Sequence, residues 1–402
     1  MCHRRGCAGL AFAAVLAATR YALNFYKTKD LEYQAFLDHY PVCKYYIDFL
    51  HNFTNFGDPK ALRMPRLLRL FDWRVRVRGV PDCPEMLDDR TGSDPVTVVS
   101  GVDEVVSVIR AARGWATARS DRVLVLMGMS GLTWAAIGET EEVRAAVVAE
   151  LGRLFCRVYT VGNDAPYGFR TMPLGLGENK VRRTGADTAT AAIAAARLDD
   201  FAKPFVVLAA FGVMSGTEDY FGGPLRHFKA SRASSARAAM LNYSRDPFYS
   251  AIPMSTIRRS HQSGQVPKAV SRLMAHKWLN SPAASHVGAV KKVVRPRLRW
   301  SELSKYRFLL SPLGDEIQAP KQVEALLVLT IPIIQRGLYR VAGDLQSLGF
   351  PMVVVEEWEE VTQGNLTRWW AELSPRLPSF RAKCLTTEAF WQIITGEIEF
   401  CH

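Results

Sequence analysis

The stretch Tyr306–Ile334 constrains the fold of this chain most. It reads Tyr-Arg-Phe-Leu-Leu-Ser-Pro-Leu-Gly-Asp-Glu-Ile-Gln-Ala-Pro-Lys-Gln-Val-Glu-Ala-Leu-Leu-Val-Leu-Thr-Ile-Pro-Ile-Ile. The apolar run Arg307–Leu310 predicts a buried strand, Gly314 a turn, Pro320 the first turn of a helix, and Ile331 the start of a second strand. Proline suits that helical position because its missing N–H would be unpaired there in any case. The helix carries Lys321 in its first turn and Glu324 three residues later, on neighbouring positions of one face. A cation beside the free N–H groups of a helix start attracts phosphate. A carboxylate one turn deeper accepts hydrogen bonds from ribose hydroxyls, so the pattern suits a nucleotide-sugar site.

The same alternation runs through the chain on both sides of this unit. Strands are expected over 96–100, 122–128, 156–161 and 205–211, and helices over 103–112, 141–155 and 188–198. Further on, a helix over 266–279 is followed by the strand–helix–strand unit, a strand over 352–356 and a helix over 365–373. Short apolar runs alternating with helices imply parallel sheets covered on both faces. A chain of 402 residues accommodates two domains. Two runs of alternation, separated near 184–203, predict two Rossmann-like domains facing a cleft, with a ligand at the carboxyl ends of the strands. The expected division is 1–26 as signal-anchor or signal peptide, 27–95 as stem and N-terminal extension, 96–190 as the acceptor-side domain and 191–402 as the nucleotide-binding domain. The turn-rich loop 163–179 is placed to line the cleft from the first domain.

Apolar residues make up 48% of the chain, enough for a large core, and the net charge of +12 suits an anionic partner. No arginine-aromatic module of the DNA- or RNA-binding kind is present, so nucleic acid is not an expected partner. The basic run Lys291–Arg299 is expected to form an exposed connection. The seven cysteines show no zinc or redox spacing and leave disulfides open. His3-Arg4-Arg5 precedes an apolar run from Gly6 to Thr19, the order of a signal sequence. Basic residues before the run keep the N-terminus cytoplasmic and send the remainder to the lumen, a type II topology. A cleaved signal peptide, giving a secreted or ER-luminal protein, is the competing reading. Asn52, Asn242 and Asn365 head Asn-x-Ser/Thr sequons, which fit a secretory address.

Pro312, Gly314, Glu316, Ala319, Pro320, Lys321, Glu324, Ala325 and Ile331-Pro332-Ile333 stand in the register of a motif of exostosin-like glycosyltransferases. That motif runs Pro-x-Gly-x-Glu-x-x-Ser-Pro-Arg-x-x-Glu-Ala, then Ile-Pro-Val. The specific resemblance covers 306–334. A weaker one includes Ala209-Ala210-Phe211-Gly212, followed by Arg232 and Arg237. The resemblance implies a GT-B fold, transfer of sugar from a nucleotide diphosphate donor, typically a uridine one, to a glycan or glycoprotein, and a Golgi-membrane address. It implies donor contacts at Gly314, Glu316, Lys321, Glu324, Arg232 and Arg237. It requires no cofactor and leaves a divalent cation open; no Asp-x-Asp motif for a metal-diphosphate is present. The catalytic base is not legible, although Asp164 and Glu178 lie on a suitable loop. Lys321 replaces the family's arginine, Ala319 its serine, and Leu329-Thr330 its Gly-Cys pair. These departures feed an alternative: a catalytically weak relative that binds glycans or scaffolds a partner enzyme.

Overall fold

The computed structural model describes residues 35, 39–40, 42–44, 66–75, 88–90, 94–115, 120–127, 137–138, 140–163, 165, 167–177, 181, 184–211, 267–313, 317–336 and 339–401. The N-terminal segment read as an anchor, the sequons at Asn52 and Asn242, and the arginines Arg232 and Arg237 lie outside these residues. Among the described residues no helix is long and apolar enough to cross a membrane.

The strands are β1 Val42–Lys44, β2 Trp73–Val75, β3 Asp88–Arg90, β4 Thr97–Gly101, β5 Val123–Met127, β6 Arg157–Thr160, β7 Arg170–Thr171, β8 Leu176–Gly177, β9 Phe205–Ala209, β10 Ala289–Lys291, β11 Tyr306–Leu310, β12 Ile331–Gln335 and β13 Val353–Val355. The helices are α1 Arg66–Arg69, α2 Val105–Arg113, α3 Glu141–Leu154, α4 Ala186–Ala195, α5 Pro267–Leu279, α6 Pro282–His286, α7 Arg299–Leu303, α8 Pro320–Leu327, α9 Val341–Ser347, α10 Gln363–Leu373, α11 Leu377–Cys384 and α12 Thr387–Thr395.

The fold is α/β with two separate, mainly parallel sheets. The first has six strands in the order β3-β2-β4-β5-β6-β7. Five run parallel and β3 closes one edge antiparallel to β2. Two of its strands, β2 and β3, come from the segment expected to be stem and extension, so that segment contributes to the sheet itself. The second sheet has five strands in the order β10-β9-β11-β12-β13, all parallel. β1 and β8 form a small parallel pair.

Side-chain alternation along the first sheet divides its packing. Val98, Leu124, Leu126 and Val158 point to a core shared with α2 and α3. Val99, Val123, Val125 and Tyr159 point the other way, into a core continuous with the second sheet. The helix α12 packs against the first sheet: Trp391 meets Phe71 edge-on at 5.1 Å, and Tyr159 Oη donates to Ile393 O at 2.8 Å. Arg157 Nη1 donates to Thr395 O at 2.7 Å. A disulfide joins Cys384 to Cys401 and closes the segment that carries α12.

The basic run forms the expected exposed connection, leading from the last residue of edge strand β10 to α7. Only Arg299, at its end, turns inward to pair with Glu324. Pro332 sits in a central strand, where a missing N–H is costly. The pairing of β12 with β13 begins only at Ile333, so Pro332 faces its neighbour on the β11 side alone.

Candidate functional site

In chain order the second sheet reads 2-1-3-4-5, so the direction of winding reverses between β9 and β11. In open parallel sheets the crevice outside the carboxyl ends of the strands at such a reversal is where ligands bind. Among the described residues the first sheet winds in one direction from β2 to β7. β9 runs out through Ala210 and Phe211. β11 runs out through Ser311–Leu313, and Ile317–Ala319 then lead into α8.

The β11 exit is pinned from several sides. Ser311 N donates to Ile333 O at 2.8 Å, and Gln322 Nε2 donates to Ser311 Oγ at 3.2 Å. Leu313 N donates to Ser271 Oγ at 3.1 Å, while Leu313 O accepts from Arg272 Nε at 3.1 Å, both partners lying on α5. These contacts aim the start of α8 at the reversal point. Ala319 precedes the helix without a side-chain cap and Pro320 occupies its first turn. The first turn of the helix carries no acidic residue, so its positive dipole end is not neutralised from within the helix.

Lys321 is buried at this end, and its ammonium lies 5.3 Å from the centre of the Phe211 ring. Phe211 lies 4.9 Å from the His276 ring. A cation over an aromatic face keeps favourable electrostatics where water is scarce. Burial pushes His276 down to about 3, and the nearby Lys291 and Arg272 charges add to the effect. Its imidazole is therefore neutral at physiological pH and too weakly basic to take a proton from a hydroxyl. Glu324, 1% exposed, pairs with the Nε of Arg299, which is a quarter exposed on its side chain. The helix thus carries a cation on its first turn and a carboxylate one turn deeper, as the spacing predicts, and a guanidinium engages the carboxylate.

The far end of α8 is held by cations. Arg381 Nη1 donates to Leu327 O at 3.3 Å. Lys203, fully buried, places Nζ 2.9 Å from Ser304 O and 3.1 Å from each of Tyr306 O, Val328 O and Thr330 Oγ1, four acceptors that share its three N–H groups. Thr330 N bonds to Ala325 O and Leu329 N to Leu326 O, and Leu329 takes a φ of 59°. This is a Schellman ending in which leucine occupies the left-handed position that glycine prefers. Positive charge at the C-terminal end complements the dipole, so both ends of this short helix have their electrostatics set by named side chains.

The first sheet meets the site through Gln318. Its Oε1 accepts from Leu174 N at 2.7 Å, and its Nε2 donates to Val161 O at 2.7 Å and Met172 O at 2.8 Å. One buried amide therefore ties the entry to α8 to the loop after β6, which the sequence places on the cleft.

Of the sequence-predicted donor residues, the structure brings Lys321 and Glu324 onto the helix at the reversal point. Gly314, Glu316, Arg232 and Arg237 lie outside the described residues, as do Asp164 and Glu178. Arg299, Gln318 and Lys203 carry much of the local architecture and were not singled out from the sequence as site residues. Arg299 offered only its place at the end of a basic run. Among the described residues no cluster of His, Cys, Asp or Glu is arranged to hold a metal ion.

No protein-family model and no curated protein matches the chain. Among solved structures it is similar to the N-terminal domain of Candida albicans trehalose-6-phosphate phosphatase, at 9% identity over 75% of this chain and 72% of that one, with a TM-score of 0.31. A likeness that loose carries no argument about activity.

Proposed function

We propose that this protein is a glycosyltransferase of GT-B-like architecture, moving a sugar from a nucleotide diphosphate donor, with uridine the first base to test, to a glycan or glycoprotein acceptor. The observation that carries the reading is the placement of α8. Its uncapped N-terminus and Lys321 meet the crevice at the winding reversal of an all-parallel sheet. Lys321 and the helix dipole would take the diphosphate, and Glu324 the ribose. The negative charge that develops on the departing diphosphate would be met by Lys321 and the helix dipole. The acceptor's proton would go to a group of the first domain or of its loop 163–179.

A luminal Golgi address, with an N-terminal anchor, belongs to the same proposal. The Cys384–Cys401 disulfide supports it, because structural disulfides persist in oxidising compartments.

A second reading, a glycan-binding or scaffolding relative without turnover, draws on the Glu324–Arg299 pair. That carboxylate already has a cationic partner, and freeing it for ribose would leave Arg299 to find another. Donor hydrolysis separates the two. Incubation of the luminal chain with uridine diphosphate sugars, with and without magnesium or manganese, should release free sugar and nucleotide if it is an enzyme. Nucleotide-induced stabilisation without any release supports the scaffold, and neither effect rejects the donor site.

A further inference from the structure

A second concavity, a pocket of about 360 Å³, lies on the seam between the two sheets and shares no lining residue with the site at α8. One wall is Phe169 with edge strand β7. Another is Arg340 with α9. The third is the end of α12 and the tail as far as Glu399. The walls are tied to one another in pairs. Thr171 Oγ1 donates to Asp344 Oδ2 between β7 and α9, and Tyr159 Oη donates to Ile393 O between the sheet and α12. Cys401 N donates to Leu348 O at 3.0 Å, tying the tail to the α9 wall. The third wall falls wholly inside the segment closed by the Cys384–Cys401 disulfide. This concavity is therefore built into the fold from three elements distant in sequence.

Its chemistry is balanced. Among its lining residues Arg170 and Arg340 are matched in number by Asp344 and Glu399, with Arg340 and Asp344 3.8 Å apart on α9, so the formal charges cancel. The Ser347 hydroxyl adds a group that can both donate and accept, whereas the Thr171 hydroxyl is engaged by Asp344 and Asn163. The floor is apolar, with the Phe169 ring, Leu348 and Ile398. An anion would meet two carboxylates here. A purely apolar ligand would strip water from four charges without replacing its hydrogen bonds. A neutral polyhydroxylated ring satisfies both surfaces: its hydroxyls donate to carboxylates and accept from guanidiniums, and its C–H face lies on the apolar floor.

We propose that this seam pocket is a binding site for a neutral mono- or disaccharide unit, one wall of which is held in place by the Cys384–Cys401 disulfide. The proposal goes beyond sugar transfer and requires no nucleotide at α8.

The test uses the full luminal chain without nucleotide. Glucose, galactose, xylose and lactose are the neutral probes, and glucuronate and inorganic phosphate the anionic ones, read by saturation-transfer NMR and calorimetric titration. At least one neutral saccharide should bind with a Kd on the order of 1 mM or tighter. Arg170→Ala and Glu399→Ala, both at exposed positions, should each weaken it about fivefold or more, with unchanged unfolding midpoints. The double substitution Cys384→Ser/Cys401→Ser should weaken it as well. The proposal is overturned if no neutral saccharide binds, if the anions bind in preference, or if binding ignores both rim substitutions. Nucleotide binding that responds to Lys321→Ala but not to Arg170→Ala keeps the two sites, and their possible failures, distinct.

Discussion

Lys203→Met tests the local architecture of α8 most sharply. The ammonium of Lys203 has no exposure and lies within 3.1 Å of four oxygens, drawn from the start of β11, the end of α8 and the turn into β12. Methionine fills nearly the same volume and donates nothing. The Tyr306 carbonyl retains a donor, the Thr330 hydroxyl at 2.8 Å. Val328 O and Ser304 O lose theirs. Burial pushes the amine down to about 7 from 10.5, so at pH 10.5 it is neutral in the fold and its loss removes little charge penalty. Leaving an acceptor without a donor costs about 1–3 kcal/mol, so at that pH the two carbonyls predict a net loss of about 2–3 kcal/mol. Urea unfolding followed by tryptophan fluorescence, with Trp300 and Trp370 reporting on the second sheet, measures it as a fall in midpoint at constant slope. An unchanged or higher midpoint at pH 10.5 would refute the reasoning, since it would mean that the amine's hydrogen bonds to Val328 O and Ser304 O contribute nothing to stability.

Burial, reinforced by Arg381, pushes Lys203 down to about 7 from 10.5. Between those values the unfolded chain holds a proton that the folded one releases, so stability rises as pH climbs from about 7 towards 10 and is lost on the way back down; Lys203→Met should flatten that part of the urea-midpoint profile. Arg299→Ala leaves the Glu324 carboxylate buried without its guanidinium and should cost about 2–4 kcal/mol, whereas adding Glu324→Gln should recover much of the loss, a coupling that a double-mutant cycle of unfolding free energies reads directly. Cys384→Ser with Cys401→Ser opens a loop of 17 residues' separation and should destabilise the protein by about 3 kcal/mol in the same assay. If residues beyond 26 are luminal, protein made in cells shifts on glycosidase treatment, with Asn365, in the first turn of α10, among the acceptors; digestion of the main domain by protease outside sealed vesicles would contradict the address.

Elements whose apolar runs were long were legible in the sequence, and short or charged ones were not. The strand expected over Arg307–Leu310 spans Tyr306–Leu310, the next begins at Ile331 as expected, and Val123–Met127 agrees to within one residue at each end. Strands buried on both faces read as continuous apolar runs. β10, Ala-Val-Lys at the head of a basic run, carries no such signal, and β2 has only three residues. α12 has a Thr386 cap and Gly396 in the left-handed position after it, a start and stop signature carried by the sequence. Its place against the first sheet depends on tertiary packing that no local pattern encodes. The same holds at the site. The spacing of Lys321 and Glu324 along one helix was readable, because it follows from helical geometry. Arg299 as the partner of Glu324, and Lys203 as the clamp on the other end of the helix, were not. A lysine before a proline and an arginine ending a basic run both read as solvated surface, and only the fold brings them inside.

The measurement that bears most directly on the central claim is calorimetric titration of uridine, uridine diphosphate and a uridine diphosphate sugar into wild type, Lys321→Ala, Lys321→Arg and Glu324→Gln. The proposal predicts that Lys321→Ala weakens the diphosphate and the sugar nucleotide more than the nucleoside. It predicts that Glu324→Gln weakens all three, by about 1–2 kcal/mol, and that Lys321→Arg equals or improves on wild type by presenting a planar fork to the diphosphate. Affinities unchanged in folded Lys321→Ala and Glu324→Gln proteins, or no binding to wild type at all, would contradict the assignment of α8 as the donor site.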